Sequence, residues 1–254
     1  MENIMERNNQ IIIHVGFHKT GSTFIQDYFC KHPNVLFLKE EFSSLANGEG
    51  EIPLIEEEIS SRTIFISNMR LTVNSWGLSE YDRVFKVLSS TEIREHQLKI
   101  AKDLKKLFPN AKILITREKN DLLKSLYSQY LLNGGTKTFK GFSLNQNHIN
   151  SFFDFKFVEQ AYVELFSQEN VTCMDYSNLK ADAVSFLQQV CKLYHIPFVE
   201  FEPVIINKSL SQCQKSKLRI QNRMVLFSLS FYRKKNRNKH FQKYIANLIA
   251  KNSK

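Results

Sequence analysis

The hydrophobic positions of this chain fall into short β-branched runs that alternate with longer stretches of helical period. Gln10–Val15 is the first run, apolar and stopped by Gly16, and it predicts a strand. A glycine-bounded turn follows and leads into a helical segment over Phe24–Cys30. Asn34–Leu38 and Arg62–Ser67 predict a second and a third strand, with a loop and an acidic helical turn across 43–60 between them. Glu92–Phe108 sets Ile93, Leu98, Ala101, Leu104 and Phe108 on one side of a helix that Pro109-Asn110 closes. Ala111–Thr116 is the clearest strand, followed by Arg117 and a helix over Asn120–Leu132 that stops at Gly134-Gly135. The Asn-rich stretch Phe139–Asn150 reads as a polar loop. Helix Phe155–Phe166, strand Asn170–Asp175 and helix Ala181–Tyr194 make another alternating unit. Beyond Pro203 two basic helical segments remain, over 211–231 and 239–251.

Strands alternating with helices predict a three-layer α/β/α fold with a mostly parallel central sheet and ligands outside the strands' carboxyl ends. The expected organisation is one domain over 10–231 and a basic helical tail, 232–254, packed on it or extending from it. Composition narrows the class. With 21 Phe and 9 Tyr against 8 Gly and 5 Pro, the chain is neither disordered nor collagen-like. No apolar run approaches the ~20 residues of a membrane span. The polar start Met1–Gln10 lacks the apolar stretch of a secretory signal. Cys30, Cys173, Cys191 and Cys213 show no C-x-x-C spacing, which speaks against a zinc site or a redox pair and suits reduced thiols in a cytoplasmic protein. Cys173 and Cys191 sit in apolar patterns that suit packing, and no metal is implied.

Charge is unevenly placed. The net charge is +10, yet residues 1–202 hold 22 Lys/Arg and 25 Asp/Glu (−3), whereas residues 203–254 hold 13 Lys/Arg and no acid (+13). The C-terminal excess suits a polyanionic ligand, nucleic acid, an anionic membrane surface, or a solvated helix face.

The chemistry concentrates in the first turn, Gly16-Phe-His-Lys-Thr-Gly-Ser-Thr23, set between a strand and a helix. Glycines at 16 and 21 let backbone N–H groups turn inward, and the helix start adds partial positive charge, so the segment suits an anion. The spacing is that of the nucleotide triphosphatase loop G-x-x-x-x-G-K-[ST], a P-loop-like arrangement, but Ser22 stands where its lysine belongs and Lys19 comes three residues earlier.

His14-Val-Gly-Phe-His-Lys-Thr-Gly-Ser-Thr-Phe-Ile-Gln26 resembles the 5′-phosphosulfate loop of sulfotransferases that use 3′-phosphoadenosine 5′-phosphosulfate (PAPS), in the variant of prokaryotic and carbohydrate-type members. The resemblance implies that Lys19 contacts the bridging oxygen and the sulfuryl group. Thr20, Gly21, Ser22 and Thr23 would hold the 5′-phosphate. In that family an arginine at a strand end and a serine eight residues on bind the 3′-phosphate, and Arg117 and Ser125 match them. Glu169–Leu179 resembles the segment whose tyrosine contacts adenine, which implicates Tyr176, although Ser177 replaces the usual acid. Ile206–Ser211 with Leu218 and Asn222 resembles the N-x-S-x-S…L…N stretch of prokaryotic members, and Lys208 is the candidate cation there.

A hydroxyl acceptor needs a general base. His32–Phe42 resembles, with altered spacing, the segment of glycosaminoglycan-type members that carries a catalytic glutamate; it implicates Glu40, with Glu41 and His18 as rivals. Phe42, Trp76, Phe152 and Phe153 are candidate sugar-site aromatics. The expectation is sulfuryl transfer to a carbohydrate or glycolipid-like hydroxyl, with PAPS as co-substrate, without a metal. The protein would be cytoplasmic, in peripheral contact with an anionic inner membrane face, with no nucleic acid as partner. Two other classes remain open: a magnesium-dependent P-loop kinase and a basic nucleic-acid-binding protein.

Overall fold

The computed structural model describes residues 10–17, 21–38, 63–67, 90–118, 122–132, 134–143, 154–201 and 210–230. In chain order the elements are β1 (Ile11–Gly16), α1 (Ser22–Cys30), β2 (Val35–Leu38), β3 (Thr63–Ser67), α2 (Ser90–Leu107), β4 (Lys112–Arg117), α3 (Leu122–Leu132) and α4 (Phe139–Ser143). They continue with α5 (Phe155–Phe166), β5 (Val171–Asp175), α6 (Tyr176–Ala181), α7 (Ala183–Leu193) and α8 (Gln212–Ser230).

The five strands form one sheet in the order β2-β3-β1-β4-β5, and every adjacent pair is parallel. Parallel strands buried on both faces explain the continuous Val/Ile/Leu runs, because alternate side chains enter different cores. Ile13, Val15, Ile64, Ile66, Ile113 and Ile115 face one way, onto Ile100, Ala101 and Leu104 of α2 and Val158, Tyr162 and Phe166 of α5. Ile12, Phe65 and Leu114 face the other way, onto Ile25 and Phe29 of α1 and Phe186, Leu187 and Val190 of α7. The three-layer α/β/α architecture read from the sequence is the one observed. From β1 the chain turns toward β2, and from β4 it turns toward β5. The carboxyl ends of β1 and β4 therefore flank the crevice where such sheets bind ligands.

Two local readings need correction. Phe139–Asn150 is not all loop: residues 139–143 form α4, and 144–150 lie outside the described residues. Thr138 starts that turn, its Oγ1 accepting from the Gly141 N–H at 3.1 Å, and Phe142 is buried with its ring 5.4 Å from Tyr127 and 5.1 Å from Tyr130. The polar asparagines downstream masked this one apolar anchor. The final α-β-α unit also holds an extra helical turn, α6, directly after β5. It ends at Asp182, whose extended backbone breaks the helix and whose side chain accepts from the Ser185 N–H at 3.0 Å to start α7. One buried residue, Leu179, is too little periodicity to reveal α6.

The chain divides into two compact units, residues 1–75, 88–120 and 149–206, and residues 76–87, 121–148 and 207–254. The first contains the sheet. In the second, the buried Asn222 of α8 donates to the carbonyls of Leu131 (2.8 Å) and Gly135 (2.9 Å), closing the end of α3. The second basic segment, 239–251, lies outside the described residues.

Candidate functional site

The site is built where β1 hands over to α1. Gly21 has φ +78°, the left-handed region, and its carbonyl accepts from the N–H groups of Phe24 (2.9 Å) and Ile25 (3.2 Å). A Cβ at Gly21 would overlap Leu179 Cδ2 and come within 2.6 Å of Tyr176 Cε2, so both conformation and space demand glycine. No side chain caps α1, and its opening backbone N–H groups carry the positive end of the helix dipole. Ser22 is buried, its Oγ–H donating to the Phe17 carbonyl at 3.4 Å, while Thr23 is exposed. Ser22 therefore braces the turn with its hydroxyl and faces the crevice only through its backbone. An uncapped helix start behind a glycine with no room for a Cβ fits a phosphate group.

Tyr176 opens α6 at the end of β5, with its ring edge against Gly21. Lys180 Nζ lies 4.8 Å from the centre of that ring and donates to Oε2 of the buried Glu118 at 2.6 Å. Arg117, at the end of β4, donates through Nε to Asp175 Oδ1 (2.8 Å) and through Nη1 to Glu159 Oε2 (3.0 Å). The Asp175 bond raises the guanidinium's pKa, so it stays a cation with Nη2 outside both pairs. The first loop, Arg117 and Tyr176 thus come from β1, β4 and β5 at one edge of the sheet. Sequence reasoning missed Asp175, Glu159, Glu118 and Lys180, because which charges meet follows from strand order.

At the same edge the layer next to the Ile12/Phe65/Leu114 row is polar: His14, Ser67 and Thr116, all fully or almost fully buried. His14 Nδ1 lies 2.8 Å from Ser67 Oγ and Nε2 lies 3.0 Å from Thr116 Oγ1. Gln26 of α1 donates from Nε2 to Ser67 Oγ at 3.1 Å. Burial lowers the His14 pKa to about 3, so its ring is neutral. The signal for this group was a lone histidine inside an otherwise apolar strand.

His18, Lys19, Thr20, Glu40, Glu41 and Lys208 lie outside the described residues, as do Phe42, Trp76, Phe152 and Phe153. Ser125 sits half-buried on α3, in the second compact unit. All four cysteines are free thiols; Cys191 is buried, and burial pushes the Cys173 thiol up to about 12.

Comparison with known proteins gives the family. A search of curated proteins finds no match. Among solved structures, a sulfotransferase from Alicyclobacillus acidocaldarius shares 14% identity at a TM-score of 0.47, over 87% of this chain and 91% of that one. A mouse sulfotransferase complexed with PAP shares 15% at 0.44, over 84% and 64%, and a sulfotransferase from Mycobacterium avium shares 13% at 0.37, over 85% and 68%. The family model described as the sulfotransferase domain matches residues 9–252, nearly the whole sequence. The chain belongs to the sulfotransferase family, the enzymes that take a sulfuryl group from PAPS.

Proposed function

We propose that this sulfotransferase acts on a hydroxyl of a carbohydrate or glycolipid-like acceptor, with the donor held by the β1–α1 turn, Arg117 and Tyr176. The supporting observation is the Gly21 joint: a left-handed glycine at an uncapped helix start, with the Tyr176 ring against it. PAPS supplies an activated sulfuryl group; the residues do the rest. Backbone N–H groups of Thr20, Gly21, Ser22 and Thr23 bind the 5′-phosphate. Lys19 neutralises charge that builds on the bridging oxygen, by the positioning and electrostatic logic of phosphoryl transfer. Arg117, with Ser125 and Lys208, binds the 3′-phosphate, and Tyr176 borders the adenine. Glu40 takes the acceptor proton, Glu41 and His18 being the other groups suited to that role.

Calorimetry tests the donor site. The protein is expected to bind adenosine 3′,5′-bisphosphate more tightly than ATP, in the presence of a chelator. Arg117→Ala is expected to weaken the bisphosphate by about 10- to 100-fold, the scale of one lost charge-assisted hydrogen-bonded contact. Asp175 and Glu159, left without their cation, add repulsion toward the 3′-phosphate. Adenosine 5′-phosphosulfate, which lacks that phosphate, should be nearly unaffected; equal losses for both ligands remove Arg117 from the 3′-phosphate site.

The acceptor side rests on the +13 charge of residues 203–254. One or two cations offset the donor's phosphates, so the surplus serves a second anion: an acidic glycan, or an anionic membrane face that presents a lipid-linked acceptor. Phe231–Ile245 mixes aromatics with cations, as interfacial segments do. A cytoplasmic setting suits the four free thiols. Deleting residues 233–254 is expected to raise KM for the acceptor and flatten its salt dependence while leaving donor affinity unchanged. Loss of donor binding in that variant makes the tail part of the nucleotide site or the core.

A further inference from the structure

The buried polar row beneath the first loop is unexplained by packing. Two residues deeper on each strand, and so on the same face, Ile12, Phe65 and Leu114 make an apolar row that fills the core against α1 and α7. An aliphatic side chain at position 14 would continue it. Instead the chain buries an imidazole, at a desolvation cost that drives its pKa to about 3, and sets it between two hydroxyls, Ser67 and Thr116, the first of them held by Gln26. A fully partnered buried network is rigid and directional.

The direction of the network can be assigned from its donors. Gln26 Nε2 can only donate, so it gives to Ser67 Oγ and, at 3.3 Å, to the Ser67 carbonyl. We assign Ser67 Oγ–H as the donor to His14 Nδ1, with His14 Nε2–H then donating to Thr116 Oγ1. One ring thus ties the ends of β3, β1 and β4 at the level where the chain leaves the sheet. It also touches the loop: a Cβ on Gly16 would come within 2.9 Å of His14 Cε1 and overlap Ser22 Oγ. Gly16, the His14 ring and the Ser22 hydroxyl are therefore packed with no spare space, and Ser22 is in turn bonded to Phe17.

We propose that His14 is a positioning residue for the donor loop, fixing Gly16 and Ser22 from below and holding the β1 turn in register with the β4 end that carries Arg117. The inference rests on the donor-site reading above. It adds that the geometry of the 5′-phosphate cradle is set by a residue that touches no ligand.

The test measures calorimetric affinities for AMP and adenosine 3′,5′-bisphosphate, with melting temperatures alongside. His14→Leu is expected to weaken both ligands by the same factor, about tenfold or more. His14→Asn, whose Oδ1 replaces Nδ1 as the acceptor from Ser67, recovers part of the loss. Should His14→Leu not fold, the volume-neutral Thr116→Val and Ser67→Ala carry the same comparison, with the same expected equal losses. A fall in melting temperature with both affinities within twofold of the parent overturns the proposal, because it makes the row structural only. A loss confined to the bisphosphate overturns it as well, since that places the effect at Arg117. Nitrogen NMR of the imidazoles reads the network without a ligand: the His14 ring stays neutral between about pH 5 and 8. Titration of His14 in that range overturns the proposal. Failure of the parent protein to bind either nucleotide shows before any variant is made, and overturns the donor-site reading and this inference together.

Discussion

Replacing Lys19 by alanine is expected to lower the rate of PAPS turnover by about 10²–10³, the scale for one removed donor at a centre of developing charge. Lys19 belongs to the short segment between the buried Phe17 and the left-handed Gly21, which are the two fixed ends of the turn. In the donor-site reading proposed above, this lysine meets the bridging oxygen when the 5′-phosphate sits on the α1 amides. Negative charge grows on that oxygen as the sulfuryl group departs, so the ammonium binds the transition state more tightly than the ground state. Release of adenosine 3′,5′-bisphosphate at saturating donor is the readout, with the melting temperature expected to stay unchanged. Near-normal turnover would take Lys19 out of the chemistry.

Gly21→Ala is expected to cost both stability and nucleotide binding. Alanine in the left-handed region costs about 1–2 kcal/mol. Its methyl group would also meet Leu179 and Tyr176, and such overpacking typically costs about 1–3 kcal/mol. For a chain of this size the sum corresponds to a fall in melting temperature of the order of 10 °C. Relief of the overlap moves either the α1 start or the Tyr176 ring, so affinity for adenosine 3′,5′-bisphosphate should fall about tenfold or more. A variant that melts early yet binds the bisphosphate normally would mean that the joint does not form the cradle.

The elements most legible in the sequence are those whose side chains answer to a single core. β4 shows as an unbroken apolar run because both of its faces are covered, and α5 was read with its observed limits, Phe155–Phe166. The start of α5 is marked by Asp154, which accepts from the Phe157 N–H at 3.2 Å, a local signal of helix start. α6 and α4 were not legible, since each buries one side chain and so has no period to detect. At the candidate site, Gly21 and Tyr176 were found by motif, 155 positions apart, and the fold sets them in contact. The clamps on Arg117 and the Glu118–Lys180 pair were not, because Asp175 meets Arg117 only when β5 lies beside β4, and Glu159 and Lys180 reach that edge from helices that flank β5 in the chain, which no local pattern encodes.

The strand order has a consequence for synthesis. β1 precedes the other four strands, yet its partners are β3 and β4: Ile13 pairs with Ile66 on one side and Ile113 on the other. The ring that closes against Gly21 belongs to residue 176. A ribosome must therefore translate past three later strands before β1 has both partners, and past Tyr176 before Gly21 has its neighbour. Before β3 and β4 are made, β1 offers unpaired edges on both sides, the state in which a nascent chain is most open to wrong strand partners. The first loop thus becomes a binding site only after segments far downstream of it are made, and chains truncated before residue 176 should need chaperone protection and retain no nucleotide.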